Sequence, residues 1–204
     1  MRPRHPLPKL WLFSDERART GLVELAALLP PGSGIIFRHD GLAPGARWRL
    51  LRRLMRIARA RGLVVLLAGS PDRARRWGAD GVHLRQRDAD RAKQAHRLRL
   101  LVTMPVHDVP EARRARRSGA DAVFVSPLHL TRSHSGAPAL GPAAWLRLAR
   151  LAPAAPLARG GMTGARARRM KRASQIAHGW AAIDAWDEKA AKRRVRQKRN
   201  AVPI

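Results

Sequence analysis

The stretch GADAVFVSPLHLTRSHSGAPALGPAAWLRLARLAPAAPLARGG, residues Gly119–Gly161, decides the fold. It contains two short apolar runs, Ala122–Val125 and Ala155–Ala158, separated by a segment with helical spacing of apolar residues. Short apolar runs of this kind are typical of strands that are buried on both faces of a parallel sheet. The stretch therefore predicts one strand-helix-strand unit of an α/β protein.

The polar residues of the same stretch predict an anion site. The second strand ends at Arg159-Gly160-Gly161 and leads into another helical segment. Backbone N–H groups at such a junction are free to bind phosphate. Thr131 and Ser133, in the loop after the predicted strand Ala122–Val125, are hydroxyl donors that we expect at the same place.

The alternation continues along the whole chain and predicts a (β/α)8 TIM barrel. No G-x-G-x-x-G sequence follows the first strand, which argues against a dinucleotide-binding domain. The first predicted helix is Asp15–Leu29. The other predicted strands are Leu10–Phe13, Ile35–Phe37, Leu63–Leu67, Gly81–Leu84, Leu98–Thr103 and Ile176–Ile183.

Two segments echo each other and support a closed ring of similar units. Ser70–Leu84 and Val109–Val125 share a proline-acidic helix start, an arginine-rich face and a Gly-Ala-Asp corner before a strand. We expect the corner residues Asp80 and Asp121 to be structural.

The chain is strongly basic, with 42 Lys and Arg against 14 Asp and Glu and a formal net charge of +28. The arginines recur in nearly every helical segment, which is typical of solvated outer helices. Aromatic residues make up 4% with no tyrosine, a poor composition for stacking on bases. We divide the chain into a barrel domain, residues 1–188, and a basic C-terminal tail, residues 189–204, which either binds polyanions nonspecifically or is disordered.

The chain has no cysteine, which fits a reducing compartment, and its apolar N-terminal run is too short to span a membrane. We therefore expect a cytoplasmic protein.

Two motifs resemble the thiamine phosphate synthase and thiazole tautomerase family. They are GADGVHL-x-Q-x-D, residues Gly78–Asp88, and GAD-x-V-x-x-x-P-x-x-x-T, residues Gly119–Thr131; VHDVPEA and the Arg-Gly-Gly sequence add to them. The resemblance runs from Leu10 to Trp186. It implies a TIM barrel in which the synthase joins a thiazole phosphate to a pyrimidine diphosphate with Mg²⁺, whereas the tautomerase branch only moves a proton on the thiazole phosphate.

The resemblance maps the diphosphate half of the site onto substituted positions. The family arginine after the second strand is retained as Arg38, but its lysine is replaced by Asp40. The family Asn-Asp pair is Ala68-Gly69, which leaves Asp88 as the retained metal carboxylate. Mg²⁺ is thus implied as the cofactor, yet we expect no ordered Mg²⁺ on Asp88 alone, since the ion needs several oxygen ligands.

The thiazole phosphate half keeps more of the family pattern. The resemblance implies ligand binding by Thr131, Ser133, Gly160 and Gly161, while Arg159 adds a charge. His134 replaces the lysine of the loop, and Asp184 replaces a serine at the end of strand eight, where its carboxylate would oppose a phosphate.

Arg38, His129 and His134 are the catalytic candidates. Both histidines lie in the loop at the expected active face, where a base with a pKa near neutrality is useful. His83 and His107 follow buried strands, and we interpret them as structural.

Two hypotheses remain open. In the first, the chain is a thiamine phosphate synthase-like enzyme that binds a small phosphorylated ligand in thiamine biosynthesis. In the second, it is a catalytically impaired member, tautomerase-like or non-enzymatic, that binds phosphate ligands or polyanions through its basic surface.

Overall fold

The computed structural model describes residues 6–130, 138–152, 154–173 and 175–200, with side chains up to residue 193 except at 173. Eight parallel strands pair in sequence order and β8 pairs with β1, which closes the barrel and confirms the predicted (β/α)8 fold. The strands are β1 Leu10–Phe13, β2 Gly34–Phe37, β3 Val64–Ala68, β4 Gly81–His83, β5 Leu101–Val106, β6 Ala122–Val125, β7 Ala155–Ala158 and β8 Gly179–Ala182.

Helices follow the strands and surround the barrel. Three of them end at a glycine in the left-handed conformation, namely Gly62, Gly78 and Gly119. The helices are α1 Leu22–Leu28, α2 Pro44–Arg61, α3 Pro71–Trp77, α4 Ala92–Arg97, α5 Val109–Ser118, α6 Gly141–Leu151, α7 Gly164–Ala173 and α8 Asp184–Asn200, and a 3-10 turn covers Gln86–Arg91.

Large side chains fill the inside of the barrel. Trp11 is fully buried there. A Cβ added to Gly34 of the next strand would lie only 2.2 Å from the Trp11 indole ring, so the ring requires glycine at that position. The Trp11 N–H donates to the Pro8 carbonyl, so its polar atom is satisfied despite burial. Phe13 and Phe124 pack edge to face above it, with ring centroids 4.7 Å apart. This aromatic layer is the floor of the barrel mouth.

The repeated Gly-Ala-Asp corners are structural, as predicted. The carboxylate of Asp80 accepts the backbone N–H of Val65, and that of Asp121 accepts the N–H of Val102. Each corner thereby joins its own strand to the preceding one, and the carboxylates lie away from the barrel mouth.

Several predicted boundaries shift. β1, β6 and β7 begin and end where predicted, whereas β5 begins at Leu101 because Leu98 ends α4. The predicted first helix, Asp15–Leu29, is shorter at its start. Its first residues form a loop in which Arg19 and Thr20 donate their backbone N–H groups to Asp187.

The last helix crosses the domain boundary predicted between residues 188 and 189. α8 is continuous from Asp184 to Asn200, and Ala190 is fully buried in the outer core. The first turn of the predicted tail therefore packs on the barrel. None of the described helices is long and apolar enough to cross a membrane.

Candidate functional site

Side chains alternate between the inside and the outside of the barrel along each strand. The inward-facing series continues past the end of the strand, and its next residue lies at the barrel mouth. On β7, for example, Leu157 lies in the inner core and Arg159, two residues later, lies at the mouth. The same register brings Arg38, Arg85 and Ser126 to the mouth from β2, β4 and β6. The strand order thus gathers polar groups from distant positions in the sequence.

The larger cavity at this end, here called the arginine cavity, has a volume of about 580 Å³. Six arginines and two aspartates line it together with two histidines. Its charged and imidazole residues are Arg38, Arg47, Arg73, Arg85, Arg91, Arg159, Asp40, Asp88, His83 and His107. Such a lining favours an anionic ligand with more than one negative charge.

Arg159 lies at the centre of the mouth. Its guanidinium lies 4.5 Å from the centroid of the Phe13 ring, and that of Arg38 lies 5.5 Å from the same ring. Desolvation, reinforced by the charge of Arg38, lowers the pKa of Arg159 to about 10. Among the described residues Arg159 forms no salt bridge. It is a half-buried cation that an anion would stabilise.

Arg38 is held by the loop after β1. It donates its backbone N–H to the Ser14 hydroxyl and its Nε–H to the Ser14 carbonyl, and its guanidinium lies 3.4 Å from Asp15. The hydrogen bonds and charge of Arg17, with a smaller contribution from Arg38, hold the pKa of Asp15 at about 2. The predicted residue Arg38 is therefore at the mouth, with part of its charge already paired.

Asp40 lies between two arginines. Its Oδ1 is 2.8 Å from Arg47 and its Oδ2 is 3.2 Å from Arg85. Arg47 is buried and also donates to the carbonyls of Arg38 and Ala68, so it ties together the segments after β2 and β3. The acid that replaces the family lysine is thus a paired carboxylate.

The two histidines of the cavity have partners. His83 is buried, its Nδ1 lies 2.9 Å from the Thr103 hydroxyl, and burial, with the charges of Arg159 and Arg38, lowers its pKa to about 3. Nδ1 of His107 lies 2.8 Å from Glu111. His83 is consequently neutral at physiological pH and packs against Phe13 and Phe124.

Asp88, the predicted metal residue, lies in the 3-10 turn at the edge of the arginine cavity. Its carboxylate lies beside Arg87, whose Nε is 4.0 Å from Oδ2. Within the described ranges no three Asp, Glu or His side chains lie close enough to hold a metal ion. The donor set around Asp88 does not fit Mg²⁺, because the other aspartate of the cavity is engaged on both oxygens by arginines.

A second cavity of about 220 Å³, here called the glycine pocket, adjoins Arg159 on the other side. Gly160 and Gly161 line it with φ angles of 95° and 58°. A Cβ on Gly160 would lie 2.7 Å from Cα of Pro127, and one on Gly161 would lie 2.6 Å from the Leu130 carbonyl oxygen. Both positions require glycine because the loop after β6 passes so close.

The glycine pocket offers backbone donors but has balanced charges. In the described part of the chain the N–H groups of Gly160 and Gly161 donate no hydrogen bond. Arg159 and Arg166 are opposed by Asp184 and Glu188 in the lining. The guanidinium of Arg166 also donates to the carbonyl of Gly161. The free backbone N–H groups of the pocket are typical of an anion site. Its two carboxylates are not, because they would repel an anion.

The other predicted site residues are not at the mouth or are outside the described chain. His129 lines a groove of about 460 Å³ between α6 and α7, with Arg166, Arg169 and apolar residues. Burial, with the charges of Arg166 and Arg169, lowers its pKa. Thr131, Ser133 and His134 fall in residues 131–137, which lie outside the described residues.

Sequence reasoning missed Arg47, Arg73, Arg85 and Arg91. A signal for two of them exists, because Arg47 and Arg73 lie in the first turns of α2 and α3. Cations at the positive end of a helix dipole are unfavourable, so an arginine there indicates a role other than helix stabilisation. Arg85 could be found by extending the inward alternation of β4 by one step.

The family model and the individual relatives that match this chain point to the same family. The family model for thiamine monophosphate synthase matches residues 13–185. The thiamine-phosphate synthase of Geobacillus kaustophilus is 32% identical over 145 residues, covering 67% of this chain and 66% of that protein. The enzyme of the same name from Anaeromyxobacter dehalogenans is 36% identical over 141 residues, covering 67% of this chain and 63% of that protein. The alignments thus span no more than about two thirds of these relatives' length.

A solved structure supports the fold. The thiamine phosphate pyrophosphorylase from Pyrococcus furiosus superposes with a TM-score of 0.72 at 19% identity, covering 91% of this chain and 96% of that one. At this identity the match supports the barrel and leaves the chemistry to the residues of the mouth.

Proposed function

This chain belongs to the thiamine monophosphate synthase family, and we propose that it binds a thiazole phosphate in the glycine pocket and condenses it with a pyrimidine diphosphate bound in the arginine cavity. The observation that carries the proposal is that Arg159 lines both cavities. Two anionic ligands bound there would meet beside one guanidinium.

The chemistry needs cations more than it needs a base. The C–O bond between the pyrimidine methylene carbon and the diphosphate breaks, the electron pair leaves with pyrophosphate, and the thiazole nitrogen forms the new C–N bond with its lone pair. No proton has to be removed at the reacting atoms. Guanidinium groups fixed at the leaving oxygens stabilise the charge that develops there.

Arg159 and Arg38 are suited to that task. Both lie over Phe13 at the mouth, and Arg159 gives up hydration without gaining a carboxylate partner among the described residues. A charge in such surroundings interacts more strongly with a ligand than it would in water. Arg38 can orient a phosphate while Asp15 and the Ser14 carbonyl fix its side chain.

Phosphate binding in the glycine pocket would use the backbone. The N–H groups of Gly160 and Gly161 point to that role, together with the start of α7. Thr131 and Ser133 stay predicted ligands, and His129 and His134 stay predicted catalytic residues. The position of His129 in the outer groove does not support a direct part in the condensation. The cytoplasmic location also stays a prediction.

A second candidate is binding of phosphorylated ligands without turnover. Asp184 and Glu188 favour it, because two carboxylates in the small pocket oppose a phosphate group. Asp184 also contributes to the electrostatic environment of Arg17, so its charge is shared with the loop after β1.

One assay separates the candidates. Purified protein is incubated with the pyrimidine diphosphate and the thiazole phosphate, and thiamine phosphate and pyrophosphate are measured together. Equal amounts of the two products support the condensation. Calorimetric binding of both ligands without either product would favour the second candidate, and binding of neither would contradict both.

A further inference from the structure

We infer that the arginine cavity binds a diphosphate group without a divalent metal ion, guanidinium groups taking the place of the metal. The inference rests on the proposed function for the identity of the ligand, and it concerns how this chain differs from its family. The disagreement between the cavity's donor set and a Mg²⁺ site is its starting point.

The carboxylates of the cavity cannot assemble a metal site. Asp40 has Oδ1 beside Arg47 and Oδ2 beside Arg85, so neither oxygen is left for a cation without breaking a salt bridge. Asp88 is then the remaining carboxylate of the cavity lining, and one carboxylate is a weak ligand set for Mg²⁺. Six arginines around it would repel the ion further.

The arginines, in contrast, are arranged to hold an anion. Arg47 is buried with three acceptors, so it is a fixed positive charge below the rim. Through Asp40 it also holds the more exposed Arg85. Asp40 thus acts as a positioning residue that keeps Arg85 over the cavity.

Two further cations lie where the helix dipole or desolvation disfavours a positive charge. Arg73 is in the first turn of α3 and its guanidinium lies 5.5 Å from the Trp77 ring centroid, while Arg159 is desolvated at the centre of the mouth. Neither forms a salt bridge within the described ranges. A diphosphate carries enough negative charge to pair with several guanidinium groups at once, and planar guanidinium groups bind phosphate oxygens in a bidentate way.

Inorganic pyrophosphate is the probe for a first test. It is titrated into the full-length protein by calorimetry in EDTA and again in millimolar Mg²⁺. We expect stoichiometric binding in EDTA, with no gain in affinity on adding Mg²⁺. Binding that appears only with Mg²⁺, or binding in neither condition, would overturn the inference.

Variants locate the binding and separate the two explanations. Arg85→Gln should weaken pyrophosphate binding about tenfold, and Arg85→Lys should recover part of the loss. Asp88→Asn should leave binding unchanged or tighten it, because it removes a repelling charge, whereas a metal-dependent site would lose affinity. Arg56→Gln removes the same charge from an exposed position on α2 and is the matched control.

The outcomes differ from those of the proposed function. Metal-independent pyrophosphate binding in a protein that makes no thiamine phosphate would support the inference and count against the condensation. Condensation that requires Mg²⁺ and is lost in Asp88→Asn would do the reverse. Equal loss in Arg85→Gln and Arg56→Gln would show a general charge effect and overturn the inference.

Discussion

The two cavities at the barrel mouth present different means of binding an anion. The glycine pocket is small, has two positive and two negative side chains, and offers backbone N–H groups. The arginine cavity is more than twice as large and has six arginines against two aspartates. The first depends on the path of the main chain, and the second depends on side chains brought together from several elements. Backbone sites tolerate neighbouring substitutions less, whereas side-chain sites can be rebuilt from new positions.

The strongest test of this contrast is Arg159, which lines both cavities. Arg159→Gln should lower the rate of thiamine phosphate formation about 100-fold, through loss of a charge-assisted contact to both ligands. Its melting temperature should stay equal or rise, because the folded state holds the pKa of Arg159 below its unfolded value and so disfavours the charged form at neutral pH. Rates and thermal unfolding are measured on the same preparations.

Arg159→Lys and Arg56→Gln are the controls for that experiment. The lysine should restore part of the rate, and the exposed Arg56 should change neither quantity. If Arg159→Gln lowered the melting temperature as well as the rate, Arg159 would be a structural residue and the shared-cation account would fail.

The glycine pocket can be disrupted on its own. Gly160→Ala places a Cβ 2.7 Å from Cα of Pro127 at a φ of 95°, so it should cost about 1–3 kcal/mol of stability. It should also weaken binding of the thiazole phosphate and leave pyrophosphate binding in the arginine cavity intact. Chemical denaturation and two calorimetric titrations measure these effects.

Gly45→Ala provides the comparison, because a Cβ there would meet only the Arg49 guanidinium at 3.5 Å within α2. It should be neutral or stabilising by about 0.5–1 kcal/mol. Equal loss of both ligands in Gly160→Ala would mean that the two cavities form one site.

The charge balance of the glycine pocket gives a smaller effect. Asp184→Ser removes one of its carboxylates and should tighten thiazole phosphate binding about threefold to tenfold, since two unit charges about 4 Å apart interact with about 1 kcal/mol in water. Asp90→Asn, outside both cavity linings, should have no effect. Weaker binding in Asp184→Ser would remove the phosphate assignment from this pocket.

The last test changes the pH. The pKa of His83 is about 3 in the folded state and close to 6.5 unfolded, so below pH 6.5 the unfolded chain binds one proton more. Stability should therefore fall as the pH decreases from 6.5 toward 3, by at most about 1.4 kcal/mol per pH unit. Denaturation of the protein and of His83→Asn at pH 7 and pH 5.5 checks this; identical pH slopes would contradict the assignment.

The sequence predicted the elements that depend on local residue patterns and did not predict those that depend on distant residues. Short apolar runs located β1, β6 and β7 to the residue, because a strand buried on both faces admits little else. Polar residues from Asp15 to Thr20 fitted a helical pattern, but the carboxylate of Asp187, 167 residues away from Thr20, holds this segment as a loop. Local spacing contains no information about such a partner.

The candidate site likewise contains some residues that the sequence could identify and others that it could not. Gly160 and Gly161 were found because a close backbone approach imposes glycine at adjacent positions, which a motif preserves. The sequence indicates only that Asp40 replaces the family lysine, and the structure shows its carboxylate between Arg47 and Arg85. Asp40 follows β2, Arg85 follows β4, and Arg47 is on the helix between β2 and β3, so the three side chains come together only when these neighbouring strands pair. Tail binding to polyanions stays a prediction.

The pairing of β1 with β8 has a consequence for synthesis of the chain. Leu10 pairs with Trp180, so the edge of β1 that faces β8 stays without its partner until β8 has left the ribosome. An open strand edge is a template for wrong pairing with another chain. Asp187, which binds the loop after β1, is made later still. Nascent chains released before β8 is made would keep an unpaired edge on β1, whereas chains that include β8 can close the barrel.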